Sequence, residues 1–112
     1  MQGYDKDEAL RFILRRIRPQ DHPALNGMLE TLVSQAIDAD MAYMHEAGVL
    51  DSEGYAGDAY YEDDDAFEYM VEDLAARNAL SPEQAVKTAS LIDDFMDRQQ
   101  AYLAWKGLVS DE

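Results

Sequence analysis

A chain of 112 residues suffices for one domain with one core, and 47% hydrophobic content argues against global disorder. It has no cysteine, so disulfides, thiolate ligands and a Cys nucleophile are excluded. With no apolar run near the ~18 residues that span a bilayer and no signal-peptide pattern, we expect a cytoplasmic protein with no membrane partner.

In chain order, Asp5-Lys6-Asp7-Glu8 reads as a capping box that opens a helix over about 6–18. Leu10, Ile13, Leu14 and Ile17 form its apolar stripe, and Arg11, Arg15 and Arg18 share another face. Pro19 and Pro23 bracket a turn, because the residue before each proline is pushed out of the helical region. A long helix is predicted over about 23–47, with Gly48 as its stop and Gly27 as a point of close helix packing. Asp40 falls inside the apolar half of that helix, about 20° from Leu29 and Ala47 on the wheel.

Residues 48–61 contain Gly54 and Gly57 with little periodicity, and read as a flexible acidic loop. A shorter helix follows over about 63–78, with Phe67, Met70, Val71 and Leu74 inward. The last helix, about 82–106, carries the clearest signals. Ser81 and Gln84 form a capping box around Pro82, and Gly107 suits a left-handed stop. Its apolar arc of roughly 160° exceeds the ~100° of an ordinary surface helix, so it should touch several neighbours. Gln99 sits within that arc, where a contact with Asp40 would satisfy both groups. The expectation is all-α: one four-helix bundle-like domain over 1–112, with two long and two short helices.

Charge is distributed unevenly. Residues 19–76 hold fifteen Asp and Glu and no Lys or Arg. On the third helix, Glu62, Asp65, Glu68, Glu72 and Asp73 face outward, beside Tyr69. Like charges at i,i+3 or i,i+4 cost roughly 0.2–0.5 kcal/mol per pair. Such a surface is either a solvated face or a docking site for a basic surface, and we name these six residues as the candidate partner-binding set. Tyr55, Tyr60 and Tyr61 lie near the same acids, and tyrosine is favoured at interfaces.

Other chemistry is weakly supported. Asp51, Glu53 and Glu62 match positions 1, 3 and 12 of a calcium loop, but Ala56 stands where glycine is needed. Neither histidine belongs to a Glu-x-x-His pair, since Ala42 precedes His45 by three and Pro19 precedes His22 by three. No nucleotide loop, zinc motif or nucleophile elbow occurs. No catalytic residue, metal or cofactor is implied. A polyanionic surface repels phosphate, so direct nucleic-acid binding is disfavoured.

The functional expectation is a non-enzymatic binding or regulatory protein that engages a basic protein surface. Two alternatives remain: an anionic mimic of nucleic acid that blocks a DNA- or RNA-binding protein, and a divalent-metal-dependent enzyme. A homodimer is also expected. Two helices of about 25 residues would each be close to 38 Å long, more apolar length than the short first helix covers. Pairing across a two-fold axis would bury the remainder.

Overall fold

The computed structural model describes residues 3–54 and 56–108. These form four α-helices: α1 (Lys6–Arg16), α2 (Leu29–Glu46), α3 (Asp63–Arg77) and α4 (Pro82–Lys106). Two 3₁₀ turns, Pro19–Asp21 and Pro23–Leu25, link α1 to α2. The all-α, four-helix expectation holds.

The start of α4 follows from local chemistry. Gln84 N donates to Ser81 Oγ at 3.2 Å, and Ser81 N donates to Gln84 Oε1 at 3.0 Å. Two of the amides that a helix start leaves unpaired are thereby satisfied. Gly107 ends the helix at φ 77°, in the left-handed region. At ~1.5 Å per residue, 25 residues give about 37 Å, which is the longest extent of the molecule, 37 Å. Helix α4 packs against α1, α2 and α3, and α2 also touches the other three. The core lies between them, with Ile13, Leu32, Ile37, Met70, Leu74, Ile92 and Phe95 fully buried.

The second helix departs from expectation at its start. It begins at Leu29, six residues later than the predicted 23. Gly27 has φ 84°, a left-handed conformation that interrupts an α-helix, and no atom lies within 4 Å of where its Cβ would be. It therefore serves a turn with Asn26, and the close-packing role is incorrect. At 18 residues, α2 is about 27 Å long. One of the two long helices behind the dimer expectation is thus shortened. Helix α1 ends at Arg16, because Ile17 is already extended ahead of Pro19.

On α1 the buried positions are Ala9 and Ile13, with Ile17 just beyond the helix, while Leu10 and Leu14 pack at the core's edge. The capping box there is only half formed. Asp5 Oδ1 accepts from Glu8 N at 3.1 Å, but the Glu8 carboxylate turns to Tyr102 and Lys106 at 2.9 and 2.6 Å.

The loop between α2 and α3 is tied by backbone hydrogen bonds. Leu50 N donates to Met44 O at 3.0 Å, Gly57 N to Val49 O at 2.8 Å, and Ala59 N to Gly48 O at 3.1 Å. Leu50 is buried and forms an isolated antiparallel bridge with Ala56. A Cβ on Gly57 would sit 2.2 Å from the Gly48 carbonyl oxygen, closer than any tolerable contact. Gly57→Ala should therefore displace this backbone and destabilise the protein by about 1–3 kcal/mol, read as a lower urea midpoint. An unchanged midpoint would mean that the loop is not coupled to the folded core.

Candidate functional site

Two acidic regions arise from this architecture. The first is the outer face of α3. Glu62, Asp65, Glu68 and Glu72 are exposed, and none is engaged by an ion pair among the described residues. The other two members of the predicted set are half-buried and occupied. Tyr69 donates a hydrogen bond to Glu46, which holds its hydroxyl pKa above the usual value, and Asp73 pairs with Arg77 at 2.9 Å. Arg11, Arg15 and Arg18 form no ion pair with α3 among the described residues. Arg16 instead lies 3.5 Å from the Phe12 ring centroid.

The second region is built around Asp40. Its α2 position places it inward, 2% exposed, and Gln99 of α4 is 3% exposed opposite it. Gln99 Nε2 donates to Asp40 Oδ2 at 3.2 Å, and Tyr61 Oη donates to Asp40 Oδ1 at 2.7 Å. Tyr4, ahead of α1, donates to Gln99 Oε1 at 2.7 Å. The chain Tyr4–Gln99–Asp40–Tyr61 thus links four separate segments. Burial pushes the Asp40 carboxyl above its usual 3.8, opposed by the bonds from Tyr61 and Gln99, and nearby Asp63 pushes it further up. Burial, and then the neighbouring Asp40, raises the Tyr61 hydroxyl, so it stays protonated and able to donate. The Tyr43 ring meets that of Tyr61 edge-on, with centroids 5.5 Å apart.

Above Asp40 opens a cleft of about 410 Å³, lined from α2, from α4 and by Val49, Tyr61 and Asp63. Its apolar lining is Met44, Val49, Met96 and Leu103, and its acids are Asp40, Asp63, Asp93 and Asp97. Among the described residues, no Lys, Arg or His lines it. Among the described residues, no three His, Asp or Glu side chains converge closely enough to hold one metal ion.

Sequence reasoning found Asp40 and Gln99 but missed their tyrosine partners. Tyr61 was grouped with exposed interface tyrosines, yet only Tyr60 fits that description, at 88% exposure. Tyr55 lies outside the described residues. His22 was also passed over. It is buried, and its Nε2 lies 3.0 Å from Asp94 Oδ2, while Asp94 Oδ1 meets Arg98 at 3.2 Å. His22 stands between the two proline-led turns, as the end of one and the start of the next. In the calcium-like loop, Asp51 Oδ1 accepts from Glu53 N at 2.9 Å, a local turn contact. No helix among the described residues is long and apolar enough to cross a membrane.

Comparison with known protein families, with characterised proteins and with solved structures gives no match.

The Asp40 shift has a defined sign. Native protein binds this proton more tightly than unfolded protein, so stability falls as pH rises from 3.8 through the raised native value. Below 3.8 the effect vanishes. Asp40→Asn preserves the network, because the Gln99 amide can reverse and Tyr4 can accept as well as donate. The stability difference between Asp40→Asn and wild type should grow with pH between 4 and 7, in favour of the variant. Urea midpoints at several pH values check this, and a difference that shrinks with pH would reverse the assignment.

Proposed function

We propose that this protein is a non-enzymatic binding protein whose α3 face captures a basic protein surface. The observation that carries the reading is the state of Glu62, Asp65, Glu68 and Glu72. They are exposed at the start and along the outer face of α3, with no ion pair among the described residues, inside a segment of fifty-eight residues that contains no Lys or Arg. Leaving like charges side by side destabilises a helix by a few tenths of a kcal/mol per pair. A cationic partner removes that repulsion when it docks. Tyr60, exposed next to this face, supplies apolar area at low entropic cost.

Exposed charges are screened over about 8–10 Å at physiological salt, so partner affinity falls with added salt, mainly through the association rate. Asp65→Asn/Glu68→Gln/Glu72→Gln is the informative variant, because it spares the Asp73–Arg77 pair. Its stability should stay within about 1 kcal/mol of wild type. Immobilised protein should retain a basic partner from host extract at about 50 mM but not at about 500 mM NaCl, across which the Debye length falls from roughly 14 to 4 Å. With that partner purified, the triple variant should bind at least about tenfold more weakly, a loss of ~1.4 kcal/mol. Equal binding by the variant and wild type would refute the reading.

Self-association belongs to the same proposal. Its local support is Trp105, 63% exposed at the end of α4 with its ring 5.4 Å from Phe12. Light scattering at micromolar concentration should give twice the 12.7 kDa chain mass, and Trp105→Ala should return it to 12.7 kDa. A wild-type particle of 12.7 kDa would end this part of the proposal.

A further inference from the structure

We infer that the cleft over Asp40 binds a linear aliphatic diamine or polyamine, a role separate from capture of a partner on α3.

The first ground is the state of Asp40. It is 2% exposed, and among the described residues its hydrogen-bond donors are the neutral groups of Tyr61 and Gln99. A buried carboxylate without a cation is costly, and a bound ammonium is the group that relieves it. The second ground is the cleft, whose volume of about 410 Å³ is in the range of small-ligand sites. Among the described residues, its charged lining side chains are four acids, Asp40, Asp63, Asp93 and Asp97, and no base.

The arrangement of those acids selects among cations. They do not converge on one point, so a single metal ion cannot satisfy them. Asp93 and Asp97 lie on successive turns of α4, about 6 Å apart along the axis, with Met96 between them in the lining. Asp63 approaches from the start of α3, and Asp40 forms the floor beside Met44. Carboxylates spaced by methionine and leucine match a chain in which ammonium groups alternate with methylene segments. Each ammonium would have one carboxylate, and the methylenes would lie on Met44, Met96 and Leu103.

The test is titration of full-length protein with 1,5-diaminopentane and with spermidine at physiological salt, followed by amide and methyl NMR. Saturable shifts should centre on Met44, Met96, Leu103 and the Gln99 side-chain amide. n-Butylammonium, with one charge, should bind at least tenfold more weakly. Asp93→Asn/Asp97→Asn alters only exposed rim groups and should weaken diamine binding at least tenfold. Asp40→Asn should do the same, with folding verified by circular dichroism. The α3 variant Asp65→Asn/Glu68→Gln/Glu72→Gln should leave diamine binding unchanged, so either site can fail without the other. Non-saturating shifts spread over all acids and reproduced by Mg²⁺ would reveal a counter-ion effect and overturn the inference. Equal affinity for n-butylammonium, or none for either polycation, would overturn it as well.

Discussion

The bonds that hold the Asp40 carboxyl group tie the fold together. A carboxyl group taken out of water must be neutralised, paired or fully hydrogen-bonded. Here no cation is beside it, and the donors come from Tyr61 in the loop and Gln99 on α4. Gln99 in turn is held by Tyr4. Sliding α4 by one residue relative to α2 would rotate Gln99 about 100° away and leave Asp40 short of a donor. The apolar contacts of Phe95, Ile92 and Ile37 supply most of the burial, but such contacts tolerate sliding. The polar chain fixes one register and draws the loop and the N-terminal segment onto the bundle.

How far this was legible depended on the range of each interaction. The α4 start was readable because Ser81, Pro82 and Gln84 act over three residues. Asp40 and Gln99 were readable because helical periodicity puts a polar side chain on a known face, where it needs a partner. Tyr61 and Tyr4 were not, since they reach Asp40 and Gln99 across 21 and 95 residues and no local pattern marks them. Gly27 misled for a related reason. A helical wheel continues smoothly through Asn26-Gly27, whereas the backbone leaves the helical region there. At Glu8 the local capping pattern lost to tertiary partners, because Lys106 offers the carboxylate a charge and the backbone amide does not.

Most of this chain's cations lie on α1 or reach it, whereas Arg77 pairs with Asp73 of its own helix, α3. Lys6 meets Asp38, joining α1 to α2, and Lys106 meets Glu8, joining α4 to α1. Arg98 donates to the Arg16 carbonyl at 3.2 Å and pairs with Asp94, which also receives His22. The Lys6–Asp38, Lys106–Glu8 and Arg98–Asp94 pairs are near the surface, where an ion pair contributes about 0–1 kcal/mol. Their effect is therefore orientation of α1 more than stability. The consequence lies elsewhere: Lys6, Arg98 and Lys106 are paired away from the outer α3 face, and among the described residues no ion pair reaches Glu62, Asp65, Glu68, Glu72 or the acids of the cleft, so the molecule is electrostatically polarised.

The two acidic regions left by that polarisation obey different physics. Carboxylates on α3 face water, so mobile ions already compensate them and added salt weakens what they attract. The Asp40 carboxyl lies in a poorly hydrated environment, where burial itself lifts its proton affinity and ions in bulk water compensate it little. In the proposed roles, the first region would act at long range on a basic surface. The second would act at contact, on a cationic ligand lying along Met44 and Met96. Salt and pH therefore separate them. The α3 face responds chiefly to ionic strength across the neutral range, and the cleft responds to the proton on Asp40, which a bound cation would displace.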